Sequence, residues 1–457
     1  MEMKRLLPIA LVALAGAGAA TPAQAASRVT VNGAGFGHGI GLSQYGAYGF
    51  ARRGADHRAI LAHYYRGTEL SSAEDRPVRV LLSSSQGSVS IAGASSANGV
   101  RLEPGKTYVA RKAGLARVRL VRGKKTVETF SAPLRIDAGD GVLNVAGRGR
   151  YRGSIEVRPA TFGGLSVVNS LSLDDYVKGV VPGEMPPSWS LEALKSQAVV
   201  ARSYALATDR GGSLFDQYPD TRSQVYKGVP AETESTNRAV EETAGQILRF
   251  GGKPAVTYYF STSGGKTENV ENVFYGSKAA PYLVSVDDPY DGNSPRHRWR
   301  FSYTRAGLGA KLGGWVKGGF REVKVVKRGL SPRIVAADVV GSRGSTRVSG
   351  AELKARLGWY DTWATFSTVS SRSSRPARGA SWLGRLLERP GLVGSVSPRP
   401  KGGRLVVQRR SGRAGWRAVR RALTTRAGRY RVSLRRAGTY RVRTNRAAGP
   451  PVRVRLP

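Results

Sequence analysis

Cysteine is absent from this 457-residue chain. That excludes disulfide scaffolds, thiolate nucleophiles, Cys-ligated zinc, iron–sulfur clusters and a lipidated N-terminal cysteine. Histidine is scarce at four residues, and His57, His63 and His297 show no close metal-ligand spacing, so neither a metal nor a cofactor is expected. Acids are few, with 31 Asp and Glu against 73 Lys and Arg. Beyond Leu6–Ala20 no apolar run approaches the roughly 20 residues needed to span a bilayer.

What is present begins with an export signal. Lys4 and Arg5 precede that apolar run, and Thr21-Pro22-Ala23-Gln24-Ala25 follows it. A charged start, a short apolar centre and an Ala-x-Ala site predict cleavage after Ala25 and a secreted, wall-associated protein. The net charge of +42 then calls for an extracellular polyanion. Wall polymers and the carboxylates of peptidoglycan fit better there than specific nucleic acid. The charge is concentrated: residues 371–457 hold 24 Lys and Arg and one acid, Glu388.

The 58 glycines are well above the usual ~7% and favour turn-rich β structure. From Arg76 to Arg158, short β-type runs such as Val78–Leu82, Arg117–Val121 and Gly153–Val157 alternate with turn signals, Asn98-Gly99 and Asp140-Gly141 among them. This predicts an antiparallel meander over 76–160. Residues 161–370 mix strands with helices. The clearest helix follows Ser190, with Leu191, Leu194, Ala198, Ala201 and Ala205 at helical spacing, and another is expected from about Ser235 to Thr243. Asp174 and Asp175 are expected to cap a helical turn. A Ser/Arg/Pro/Gly linker is expected over 371–400. Residues 401–457 alternate Arg with apolar residues, as in a small, basic β-sandwich-like module. The fold class is α+β.

Several motifs stand in order through the middle. Leu171–Pro186 reads LSLDDYVKGVVPGEMP, Leu194–Ala205 reads LKSQAVVARSYA, and Ser223–Gly228, Ser261–Thr267 and Asp287-Asp288-Pro289 follow. This string resembles the SpoIID/LytB family of stage II sporulation protein D lytic transglycosylases and amidase enhancers, over roughly Arg28 to Val369. One departure stands out. The block Gly35–Ala47 (GFGHGIGLSQYGA), which closes the domain in the sporulation protein, here opens it within residues 26–75. Residues 28–36 are therefore expected beside the strand near Thr365–Val369, as in a circular permutation.

The resemblance implies cleavage of peptidoglycan glycan strands between MurNAc and GlcNAc. A lytic transglycosylase needs one carboxyl, because the sugar's own 6-hydroxyl attacks the anomeric carbon; hydrolases pair two. Glu184, of the Glu-Met-Pro motif, is the family's proposed acid, and its apolar neighbours suit a carboxyl that keeps its proton. Lys195 and Arg202 are seven apart and share a helix face, where they could hold substrate carboxylates. Ser263 and Lys266 sit in a Gly-rich turn whose N–H groups could approach a ligand. Gln224 and His38 complete the expected substrate set. The second reading is a non-catalytic glycan-binding protein that enhances a wall amidase, with Glu184 only accepting hydrogen bonds.

Overall fold

The structure is a computed structural model and describes residues 26–73, 76–374, 390–412 and 415–455. The expected leader, residues 1–25, lies outside them. The described residues divide into two compact units, one within 32–300 and 311–365, the other of residues 26–31 and 301–310 with those described from 366 onward. The architecture is α+β. Among the described residues, helices run over α1 (Gln44–Ala51), α2 (His57–Tyr64), α3 (Leu173–Glu184), α4 (Leu191–Ala207), α5 (Glu234–Glu241), α6 (Arg305–Leu312) and α7 (Gly350–Leu357).

The expected meander is two six-stranded sheets rather than one. One orders the strands Lys125–Ser131, Arg117–Arg122, Thr107–Lys112, Ser88–Ala92, Leu143–Val145 and Gly149–Tyr151. The other runs Val78–Gln86, Leu165–Leu171, Ser154–Pro159, Leu134–Asp137, Ser96–Ala97 and Val100–Arg101. Most of these strands bury one face, Leu165–Leu171 buries both, and the buried residues of both sheets, Ile91 and Leu120 with Val80 and Ile155, join one core, so the chain must cross between layers. The turn signals divide accordingly. Asn98 (φ 41°) and Gly99 (φ 86°) form a tight hairpin, whereas Asp140-Gly141 connects strands of different sheets.

Strand Leu165–Leu171 pairs centrally with both its neighbours and leads straight into α3. Ser172, not Asp174 or Asp175, caps that helix, accepting a bond from the Asp175 N–H at 3.2 Å. The two acids occupy its first turn, where the positive end of the helix dipole favours them. Pro182 lies inside the helix and removes a donor near its end; the last helical residue is Glu184. Helix α4 follows the predicted periodicity, although the Ser190 side chain makes no capping bond.

The relocated block docks where expected. Ala34 N–H donates to the Trp363 carbonyl at 3.1 Å, and Thr365 Oγ1 donates to the Asn32 carbonyl at 3.2 Å. Leu42–Ser43 pairs in parallel with Tyr259–Phe260, and Ser43 then caps α1. Gly41 (φ 72°) has no room for a side chain, because a Cβ there would lie 2.1 Å from the Tyr258 carbonyl oxygen. Gly41→Ala is expected to destabilise the protein by about 3 kcal/mol, read from the urea unfolding midpoint.

The expected linker is shorter than its composition suggests. Ser371–Ser374 extend the strand Ala364–Ser374, and Gly391–Ser397 pairs with it antiparallel; residues 375–389 lie outside the described residues. Ser/Gly content masked an alternation that buries Leu392 and Val396. These join Val407, Tyr430, Val432 and Val442 in a separate core. The C-terminal module thus has two facing sheets, one of which is the four-stranded set Gly415–Leu423, Arg404–Ser411, Gly438–Arg443 and Val452–Val454.

Candidate functional site

A cleft of about 750 Å³ opens over the end of α3. That volume lies within the range of small-ligand sites. Glu184 lines it, with His38, Tyr204, Tyr258, Tyr259 and Phe260 among its walls and Arg210, Arg222 and Lys354 as its cations. Glu184 is the one carboxylate among the lining residues.

Three contacts fix Glu184. Its Oε1 accepts the Val225 N–H at 2.7 Å. Its backbone carbonyl accepts from Gln44 Nε2 at 3.0 Å, so the relocated block and α3 meet at this residue. The Tyr259 hydroxyl also hydrogen-bonds the carboxylate. Burial raises the Glu184 pKa above its ordinary value near 4.5, against the opposing pull of the Val225 N–H, Tyr259 and Lys227. The negative end of the α3 dipole acts in the same direction as burial. Since the Tyr259 hydroxyl favours the ionised form, Tyr259→Phe is expected to move the Glu184 titration to still higher pH, measurable by NMR.

His38 faces the cleft and packs against Tyr258, Phe260 and Phe274 at ring distances of 6.0, 5.3 and 5.4 Å. Its Nδ1 accepts the Ile40 N–H at 3.1 Å, which leaves the proton of the neutral ring on Nε2. Burial, reinforced by Lys354 and Arg333, pushes its pKa down to about 3. His38 is therefore a neutral hydrogen-bonding group near pH 7.

Gln224 supports the site from behind. Fully buried, it donates from Nε2 to the Tyr176 hydroxyl at 3.1 Å and the Ala201 carbonyl at 3.2 Å, and accepts from the Tyr259 hydroxyl at 3.1 Å. It positions Tyr259 and does not line the cleft.

The four other expected binding residues are placed elsewhere. Arg202 is completely buried, bonded to Asp174 at 2.7 Å and to the carbonyls of Gln246 and Val240 at 3.0 and 3.3 Å. Lys195 pairs with Glu192 at 2.7 Å and Glu242 at 2.5 Å. The shared helix face is real, but it packs against α3 and α5, and acids there satisfy both cations. Ser263 is buried and donates to Asp291 Oδ2 at 3.1 Å, while Asp291 also takes the Gly264 N–H at 2.6 Å. The N–H groups of this turn thus serve internal partners: Gly264 the Asp291 carboxylate, Gly265 the Ser263 hydroxyl and Ser263 the Ser43 hydroxyl. Lys266 pairs with Asp287 at 3.1 Å. Arg333 braces the same turn, donating to the carbonyls of Ser263 and Lys266 at 2.8 and 2.7 Å and holding Asp361 with two bonds.

Sequence reasoning missed the cleft's aromatic wall and its cations. Tyr258-Tyr259-Phe260 was a visible signal, since consecutive aromatics in extended chain leading into a short strand must present rings to both of its faces. Arg210, which donates to the Tyr204 hydroxyl at 2.6 Å, carries no local signature. Among the described residues, no group of three or more His, Asp or Glu is arranged to hold a metal ion.

Comparison with known proteins agrees with the central motifs. Residues 161–250 match the family model for SpoIID, stage II sporulation protein. The chain is 33% identical over 211 residues to stage II sporulation protein D of Bacillus subtilis, covering 42% of this chain and 59% of that protein. It is 33% identical over 207 residues to the amidase enhancer of Bacillus subtilis, covering 39% and 27%. An uncharacterised protein of Brachyspira hyodysenteriae is 44% identical over 123 residues, covering 26% and 33%. The chain thus spans between about a quarter and three fifths of the length of these relatives. Through the region that builds α3, α4 and α5, this chain is a family-level homologue of the SpoIID/LytB proteins.

Proposed function

We propose that the chain is an exported peptidoglycan lytic transglycosylase with Glu184 as its single acid and base. The observation that carries this reading is a lone carboxyl, raised in pKa by burial, at an aromatic-walled cleft. Tyr204, Tyr258 and Phe260 offer ring faces to sugars, and Arg210 and Lys354 offer charge to their carboxylates.

In the first step the Glu184 proton passes to the bridging oxygen as the bond from muramyl C1 to that oxygen breaks. The ionised carboxylate then takes the proton from the sugar's own 6-hydroxyl as O6 bonds to C1. One glycan leaves with a free hydroxyl and the other with a 1,6-anhydro ring, and Glu184 is protonated again. Val225 N–H and Tyr259 hold the carboxylate in place through both transfers. No water is consumed. Mass spectrometry of digested glycan strands should therefore show muramyl ends one water lighter than hydrolysis would leave. Hydrated ends alone would contradict the mechanism.

The second reading, a glycan-binding enhancer of a wall amidase, draws on the likeness to an amidase enhancer. Absence of any glycan product, with stimulation of an added amidase, would establish it instead.

A further inference from the structure

The C-terminal module has a basic, lined sheet face made of residues that the cleft at Glu184 does not include. In the four-stranded sheet, Leu405, Val407, Tyr440 and Val442 point into the core. Alternation sends Arg404, Val406 and Arg443 to the opposite, outer face. The register groups them further. Val406 lies opposite Arg421 on one side and Arg443 on the other, and Arg404 lies opposite Leu423. Directly opposed residues share a face, so these side chains form two adjacent rows. They line a cleft of about 1040 Å³, larger than the one at Glu184.

The charge on this face has no internal answer. Residues 390–457 contain no Asp or Glu. Arg409, Arg420 and Arg399 at least donate to backbone carbonyls. Among the described residues, the side chains of Arg404, Arg421 and Arg443 make no hydrogen bond or ion pair, and all three residues are exposed. Arg421 and Arg443 stand on either side of Val406, two strand spacings or about 9.6 Å apart, close enough to repel each other unless an anion lies across them. The floor between them is apolar: Val406 and Leu423, the latter 67% exposed. Beside it Arg441 stacks over the Trp416 ring at 4.3 Å.

We infer that this sheet face binds a linear phosphodiester polymer of the cell wall, with Arg404, Arg421 and Arg443 gripping successive phosphates. Guanidinium forks give two N–H donors to each phosphate, and the apolar floor accommodates the carbon chain between phosphates. The phosphodiester site stands on the sheet geometry; the choice of a wall polymer rests on the peptidoglycan reading above.

The test uses the full chain and calorimetric titration with poly(glycerol phosphate), polygalacturonate and double-stranded DNA at equal charge concentration. Poly(glycerol phosphate) should bind tightest. Replacing Arg404, Arg421 and Arg443 together by Gln should weaken it at least about tenfold at ~50 mM salt and flatten the salt slope by about 2. Replacing Arg429, Arg431 and Arg435, which lie on and just after a strand of the other sheet, removes equal charge and should change binding less than about twofold. Equal weakening by both triple variants would show diffuse attraction and overturn the site. Tightest binding of polygalacturonate would overturn the phosphate assignment, and of DNA the wall assignment. Anhydro-product formation on short glycan strands should be unchanged in the first triple variant, which separates this proposal from the chemistry at Glu184.

Discussion

Glu184→Gln is expected to lower formation of anhydro-muramyl product by about 10²–10⁴, the usual worth of a positioned proton donor. Glutamine keeps the shape and can still accept the Val225 N–H, so glycan binding should persist. The same variant makes a stability prediction of opposite sign. The Glu184 pKa is higher in the folded state than in the unfolded chain, because burial penalises its charged form. Below the unfolded value both states are protonated and the charge costs nothing. As pH rises through the folded value, the ionised carboxylate destabilises the native state. Glu184→Gln should therefore melt higher than the natural protein at pH 7, and the gap should close below about pH 4. Equal product from both proteins would remove Glu184 from the chemistry, leaving the enhancer reading in place.

Arg202→Leu is the second large effect, and it separates a structural role from a substrate contact. The guanidinium ties Asp174 of α3 to the carbonyls of Val240 in α5 and Gln246 beyond it. Removing it strands two buried carbonyls and a carboxylate that keeps some solvent, with 38% of its side chain exposed. The expected loss is about 3 kcal/mol, at the low end for a broken buried pair because of that exposure. Arg202→Lys restores the charge but not the fork and should recover only part of it. Folded Arg202→Leu protein, assayed well below its melting temperature, should keep its KM for glycan strands. A raised KM with unchanged stability would return Arg202 to the substrate.

Much of this architecture is written in local pattern. The spacing of Leu194, Ala198 and Ala201 marks α4, and Asn98-Gly99 marks a hairpin, because both signals depend on neighbours within a few residues. The position of the relocated block was legible through the family resemblance, since its motif requires its usual strand partners. Glu184 was singled out by motif and apolar context, but its place at the end of α3 was not foreseen, because Pro182 reads as a helix breaker. Lys195, Arg202, Ser263 and Lys266 were expected at the substrate and stand against internal acids outside this cleft, and the sequence hid that for one reason. Cationic and polar residues on a periodic face look alike whether they meet a ligand or an internal acid. Only the packing of Asp174, Glu242, Asp287 and Asp291 against them decides. The run Tyr258-Tyr259-Phe260 is local, but Tyr204 and Arg210 join it from a segment far away in the chain, which no local pattern records.

The most direct measurement is the titration of the Glu184 side-chain carboxyl by carbon-detected NMR, assigned by its loss in Glu184→Gln. A midpoint above the ordinary glutamate value is expected, matched by the alkaline limb of anhydro-product formation. A midpoint at or below that value, with the carboxylate ionised throughout the active pH range, would contradict Glu184's role as the acid.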